Sequence, residues 1–155
     1  MITIMSGAIE SLWDGEARER TLAAGEVLFR AGDPVRALYR VESGAVRLVR
    51  PLPHGAELVI QRAGAGAILA EASLFAAAYH CDAVAEGSTR IRGVSVERAA
   101  AALERDPSVA RAFTLYLALE VQSARARAEI ASLKTVRERL EAWLSMNGGE
   151  LPPLG

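Results

Sequence analysis

The sequence has little or nothing of several features, and each shortage excludes a class of protein. A single cysteine in 155 residues cannot form a disulfide within the chain, which fits a reducing compartment. No apolar run approaches the roughly 20 residues that a transmembrane helix needs. The N-terminus MITIMSGAIESLWDGEARER lacks the basic start and long apolar core of a secretory signal. We therefore expect a cytoplasmic protein that does not enter a membrane.

A charge surplus of either sign is also missing. The 18 basic and 19 acidic side chains leave a net charge of -1, so no global attraction to nucleic acid or anionic lipid is expected. Paired carboxylates, a nucleophile with a nearby base and metal-ligand spacings are lacking too, which argues against an enzyme and against a metal site. With 51% hydrophobic and 24% charged residues, the chain is predicted to be globular with a substantial core.

Short segments of strand-like composition fill the region from Gly25 to about Val96. Their spacing of roughly ten residues is typical of antiparallel barrels and sandwiches. The segments are EVLF, ALYRV, AVRLV, ELVIQ, AVA and RIRGVSV. Turn-forming residues separate them, at Gly32 to Pro34, Ser43–Gly44 and His54–Gly55. A short helix over Ala8 to Arg20 is predicted to precede this mainly β region.

Helical composition returns after Val96. The segment ERAAAALERDP is rich in helix formers, and Pro107 stands where a second helix would begin. No glycine or proline interrupts Ser108 to Leu133, so this helix would be roughly 39 Å long, more than a compact β domain needs. We therefore predict that it forms a dimer seam. The proposed seam residues are Val109, Phe113, Tyr116, Leu117 and Glu120.

A last helix, VRERLEAWLSM, is predicted to follow Thr135, with Glu138 completing a capping box. The segment NGGELPPLG then ends the helical pattern.

The order and spacing of four segments resemble the CRP/FNR transcription regulators. These segments are GEVLFRAGD, LYRVESGAVRLVR, GAELVIQRAGAGAILAEASLF and LKTVRERLEAWL. The resemblance implies an α+β fold in which residues 1–106 form a jelly-roll (double-stranded β-helix) sensor of the cyclic nucleotide-binding type. It also implies a dimerisation helix at 107–133, and a hinge helix and linker at 134–155. Members of this family bind DNA through a winged helix-turn-helix, for which the residues after Met146 are too few.

We accordingly expect a homodimer whose DNA-binding domain is C-terminal and not present in this chain. Two alternatives remain open. One is a stand-alone module of the cyclic nucleotide-binding type that regulates a protein partner. The other is a haem or redox sensor of the same family. The sequence leaves the effector open.

The resemblance also assigns positions in a phosphate-binding cassette. Family members that bind cyclic AMP place glycines where Gly66 and Ala70 stand and a ribose-binding glutamate where Glu71 stands. Their phosphate-binding Arg–Ser pair falls on Cys81 and Asp82. A carboxylate within about 4 Å of a phosphate would cost on the order of 1 to 4 kcal/mol. The sequence therefore argues against ordinary recognition of cyclic AMP.

The remaining candidate positions lie beside the cassette and on the long helix. Family residues that contact the base correspond to Ala124 and Arg125. His80 and Cys81 are candidates for sensing, because imidazole and thiolate are common haem ligands. Adjacent residues of a strand point to opposite faces, so the two are not expected to bind one iron together.

Overall fold

Two four-stranded antiparallel sheets form the body of the computed structural model, which describes residues 7–15, 17–146 and 148. The strands are β1 (Arg18–Leu22), β2 (Val27–Phe29), β3 (Ala37–Ser43), β4 (Ala45–Pro51), β5 (Glu57–Gly64), β6 (Ile68–Leu69), β7 (Asp82–Ala85) and β8 (Thr89–Ser95). The first sheet has the order β1-β8-β3-β6 and the second β2-β7-β4-β5. This arrangement confirms the predicted jelly-roll fold.

The helices lie before and after the sheets. They are α1 (residues 7–10), α2 (Val96–Arg105), α3 (Pro107–Ser132) and α4 (Val136–Met146). Short 3-10 helices cover Ser11–Trp13, Pro53–Gly55 and Glu71–Ser73. The helices predicted from composition after Val96 are thus confirmed, including the start of α3 at Pro107.

Side-chain caps explain where two of these helices begin. The Asp106 carboxylate accepts hydrogen bonds from the Ser108 hydroxyl at 2.6 Å and the Ser108 N–H at 2.8 Å. These bonds lower the pKa of Asp106 and satisfy a free donor of the first turn. The capping box before α4 is confirmed, because the Glu138 N–H donates to Thr135 Oγ1 at 3.2 Å and the Thr135 N–H donates to Glu138 Oε2 at 2.9 Å.

The N-terminal prediction was partly wrong. Helical structure ends at Trp13, and Gly15 has a φ of 84°. Residues predicted to continue the helix instead form β1, which pairs with β8 from Arg18↔Gly93 to Leu22↔Thr89. Pairing between distant segments decided this structure, because local helix propensity is a weak preference that tertiary contacts override. The predicted linker at 147–155 lies outside the described residues, except for Gly148.

The core lies between the inner faces of the two sheets. Leu22 and Ile91 from the first sheet pack with Ala85 from the second, and Leu28 and Tyr39 pack against this cluster. The alternation of side chains along a strand places every second residue of β1, β3 and β8 on this inner face. Phe29 stacks against Tyr39 with the ring centroids 6.0 Å apart, and against Tyr79 with the ring centroids 4.0 Å apart.

The chain divides into two units, Met1–Phe113 and Thr114–Gly155. The boundary falls within α3, whose residues Val109, Ala112 and Phe113 are buried. Among the residues that the structure describes, no helix combines the length and apolar character needed to cross a membrane.

The turn between β3 and β4 requires glycine for two reasons. Gly44 has a φ of 84°, and a Cβ there would lie 2.6 Å from Thr89 Oγ1 and 2.7 Å from the Ser88 carbonyl oxygen. We expect Gly44→Ala to lower the free energy of unfolding by roughly 2 to 4 kcal/mol, from backbone strain plus overpacking. Chemical denaturation followed by circular dichroism measures this change.

Gly25→Ala is the matched control for that measurement. Gly25 also has a positive φ, 78°, but a Cβ there would meet no atom within 4 Å. Gly25→Ala should therefore lower the free energy of unfolding only by the backbone cost of about 1 kcal/mol. Equal losses of stability in the two variants would contradict the proposed contact with Thr89.

Candidate functional site

The segment that resembles the phosphate-binding cassette begins with an alanine in an unusual conformation. Ala70 follows β6 with a φ of 68° and a ψ of 13°, the left-handed region that glycine occupies at least cost. Its carbonyl oxygen accepts the Ser73 N–H at 2.9 Å, which starts the 3-10 helix Glu71–Ser73. The backbone turn that the family makes with glycine is thus present here with a side chain, at a cost of about 1 to 2 kcal/mol.

Gly66 lies in the turn before β6, with a φ of 87°. Its N–H donates to the Val41 carbonyl oxygen at 2.8 Å, which ties this turn to β3. The two family glycine positions therefore fall on two left-handed turns at either end of β6. Glu71 is half-buried at the first position of the 3-10 helix that follows.

Asp82 is buried, and its carboxylate has a structural role. Oδ1 accepts the backbone N–H of Ala31 at 2.7 Å, and Oδ2 lies 3.7 Å from the Arg30 guanidinium. These contacts connect the start of β7 to the turn between β2 and β3. The position that carries a phosphate-binding hydroxyl in the family is occupied here by an anion that bonds to its own protein.

Cys81 is 2% exposed. Burial raises the pKa of its thiol, and the nearby charge of Glu71 raises this pKa further, while Arg50 opposes the shift. The neutral thiol is therefore the dominant form at physiological pH. A redox-reactive cysteine needs a lowered pKa and solvent access, and Cys81 has neither.

The second sensing candidate is exposed. His80 lies in contact with Ser73, with Nδ1 3.0 Å from the Ser73 hydroxyl oxygen, whereas Cys81 next to it is buried. The two side chains therefore do not face one common ligand. Over the described residues, no group of three or more His, Cys, Asp or Glu side chains is placed to hold a metal ion.

The positions predicted on α3 differ in exposure. Val109 and Phe113 are buried within the first unit, at 2% and 4% exposure, so they have no free surface for a partner helix. Tyr116, Leu117 and Glu120 are half-buried in the second unit. The family base-contact positions, Ala124 and Arg125, are exposed on the same helix.

Three apolar side chains that the predicted seam omitted are exposed on α3. They are Leu115, Leu119 and Val121. Leu115 and Leu119 are four residues apart and so lie on one face of the helix. Composition alone did not distinguish these from Val109 and Phe113, because all five are apolar and exposure depends on contacts between distant segments.

A second feature that the sequence analysis missed is a cavity of about 730 Å³ in the first unit. Four arginines line it, namely Arg18, Arg20, Arg36 and Arg98. The alternation of Arg18 and Arg20 would have indicated one face of a strand, but this segment was predicted to be helical. None of the cassette positions from Gly66 to Asp82 lines the cavity.

Comparison with known proteins gives consistent results. Residues 19–106 match the family model of the cyclic nucleotide-binding domain. Among solved structures, the chain is similar to the catabolite activator protein of Thermus thermophilus, with 27% identity and a TM-score of 0.68 over 83% of this chain and 63% of that one. FixK2 from Bradyrhizobium japonicum is similar at 25% identity and a TM-score of 0.74, over 84% of this chain and 65% of that protein.

A shorter solved structure matches over most of its length. The N-terminal domain of a transcriptional regulator from Streptomyces coelicolor A3(2) has 26% identity and a TM-score of 0.59, over 85% of this chain and 87% of that one. The chain thus spans less than two thirds of the first two proteins but most of this isolated domain. No curated protein matches the sequence.

The surroundings of Cys81 predict its reactivity. We expect iodoacetamide to modify Cys81 at least roughly tenfold more slowly in the native protein than in urea, because the thiolate is the reacting form. Glu71→Gln should lower the thiol pKa by removing a negative charge, and Arg50→Gln should raise it by removing a positive one. The pH dependence of the modification rate measures both shifts. A native midpoint below the ordinary value of about 8.5 would contradict this assignment and favour a redox sensor.

Proposed function

Because this chain belongs to the cyclic nucleotide-binding domain family, we propose that it is the effector-sensing and dimerisation region of a CRP/FNR-type transcription regulator. The observation that carries the proposal is the 26-residue helix α3, which follows the β domain with only Asp106 between it and α2. A sensor that must pass a signal to another domain needs a stiff element of this kind. The solved relatives named above include the N-terminal domain of a transcriptional regulator and a catabolite activator protein.

The exposed face of α3 supports dimerisation. Leu119 is 53% exposed and Leu115 39% exposed, and the burial of such side chains between two helices stabilises a coiled-coil interface. We place the seam on this face. Tyr116, Leu117 and Glu120, which are half-buried, flank it, whereas Val109 and Phe113 belong to the core of the first unit.

In this proposal, DNA binding belongs to a C-terminal winged helix-turn-helix domain, and the protein acts in the cytoplasm. An effector that binds one state of the sensor domain better than another shifts the population of dimer geometries. Paired α3 helices then reposition the two DNA-binding domains, as subunit rotation does in other switches. The chain itself has no catalytic step in this mechanism.

Cyclic AMP is not the effector that we propose. At the two family positions for the phosphate, this chain has a buried neutral thiol and a buried carboxylate that already accepts the Ala31 N–H. Glu71 adds a second negative charge next to Cys81, and Arg50 is the cation that acts on this thiol. A bound phosphate would therefore meet two carboxylates without the arginine that the family supplies from within the cassette.

The dimer can be tested at Leu119. We expect the wild-type protein to sediment as a dimer at micromolar concentration and Leu119→Asp to raise the dimer dissociation constant at least roughly tenfold, because a charge would be buried in the seam. Analytical ultracentrifugation measures both. The control is Leu52→Asp, which places the same charge on an exposed apolar residue outside α3 and should leave the dimer intact.

A monomeric wild-type protein would overturn the dimer part of the proposal, as would equal weakening by both variants. Phe113→Asp is not a suitable test, because Phe113 is buried in the first unit and a charge there would destabilise the fold itself.

The cassette predicts a negative result with cyclic AMP. Millimolar cyclic AMP should not raise the melting temperature of the protein, because a ligand raises it only when its concentration exceeds the dissociation constant. Differential scanning calorimetry measures this, with 5′-AMP at the same ionic strength as the control nucleotide. A shift that is specific to cyclic AMP, at concentrations of about 10 μM, would show that the altered cassette still binds it.

A further inference from the structure

The arginine-lined cavity lies on the inner face of the first sheet. Gly93 on β8 pairs with Arg18 on one side and with Tyr39 on the other, so the side chains of these two residues share one face. Ile91, two residues before Gly93, belongs to the core cluster with Ala85 of the opposite sheet. The face that carries Arg18 and Tyr39 is therefore the face that encloses the core.

Three parts of the fold carry the arginines that line this cavity. Arg18 and Arg20 alternate on β1. Arg36 stands just before β3, where its N–H donates to the Tyr79 hydroxyl at 3.2 Å and its carbonyl oxygen accepts the Val96 N–H at 3.0 Å. Arg98 lies in the first turn of α2, and its guanidinium donates to the Asp14 carbonyl oxygen. Four arginines from three parts of the fold thus line one cavity.

The positive charge of this cavity is only partly neutralised. Arg20 forms an ion pair with Glu26 at 2.5 Å, and the carboxyl pKa of Glu26 is lowered by the Ala23 N–H and by Arg20, so the pair is ionised at neutral pH. Arg18 and Arg36 form no ion pair with any residue in the described part of the chain. Acidic residues line two adjoining smaller cavities, with Asp33 in the one that shares Arg36 and Tyr39, and Glu19 and Glu42 in the one that shares Arg20 and Ile91. No lining residue of the larger cavity is acidic.

Tyr39 supplies a flat aromatic surface in the same cavity. A Cβ at Gly93 would lie 3.0 Å from Tyr39 Cδ1 and 3.1 Å from Cε1, so the glycine lets the ring lie against the sheet. Burial raises the pKa of Tyr39 to about 12, with Tyr79 adding to the shift. The hydroxyl therefore remains protonated, and a hydrogen bond with Tyr79 holds it within the protein.

We propose that this cavity binds a small organic phosphate ester. Guanidinium groups recognise phosphate oxygens through paired hydrogen bonds, and the volume of about 730 Å³ lies in the range of small-molecule sites. The Tyr39 ring, Ala37 and Ile91 provide the apolar surface that the organic part of the ligand would contact. This site is separate from the cassette, and it depends neither on dimerisation nor on DNA binding.

The test uses phenyl phosphate, an aromatic monoester, as the probe. We expect isothermal titration calorimetry on the full chain to give a dissociation constant in the micromolar to low millimolar range. The double variant Arg18→Gln/Arg36→Gln should weaken binding at least roughly tenfold, because it removes the two guanidiniums without a described acidic partner. Tyr39→Phe keeps the ring and removes only a hydroxyl that is bonded to Tyr79, so it should bind the probe within about twofold of the wild-type protein.

The matched control is Arg90→Gln/Arg111→Gln, which removes the same charge from residues that do not line this cavity. It should bind the probe as the wild-type protein does at equal ionic strength. Three results would overturn the proposal: no binding to the wild-type protein at millimolar probe, equal affinity in the Arg18→Gln/Arg36→Gln variant, or equal loss in the control pair. None of them bears on the sedimentation test of the dimer, so the two proposals fail separately.

Discussion

The pairing of β8 with two neighbours is the interaction on which the rest of this structure depends. β8 forms antiparallel ladders with β1 on one side and β3 on the other. A shift of one residue in either ladder would turn Ile91 out of the core and replace it with a charged neighbour, Arg90 or Arg92. The register that buries Ile91 also places Arg18, Gly93 and Tyr39 in one row. Core packing and the arginine-lined cavity therefore follow from the same hydrogen-bond pattern.

The segment that resembles the cassette combines a left-handed backbone turn with side chains that bond within the protein. Ala70 keeps a left-handed turn that suits glycine, and the 3-10 helix still follows it. At the next two positions, Cys81 is buried as a neutral thiol and Asp82 holds the Ala31 N–H. Both side chains now stabilise the fold. A family resemblance in backbone is thus compatible with a different ligand, because the ligand is selected by side chains and their charges.

Local sequence determines where the helices after the β domain begin. It does not determine which of their side chains are buried. Asp106, Pro107 and the Thr135–Glu138 capping box define where α3 and α4 begin, and all of these are local features. Which side of α3 is buried is not local. Phe113 and Leu119 are both apolar, yet one is in the core and the other is 53% exposed.

The sequence by itself determined six strands of an antiparallel β domain, the long helix and the capping box before α4, because turn residues, strand-like composition and capping patterns act over a few residues. The jelly-roll class followed from the family resemblance. Tertiary structure alone decided three things. β1 became a strand because β8 pairs with it, despite a helical local pattern. Asp82 became a structural acceptor because folding brings Ala31 to it across 51 positions of sequence. The four arginines form one cavity because β1, the start of β3 and α2 meet there. Each is a contact between distant segments, and no pattern within a short stretch of sequence contains it.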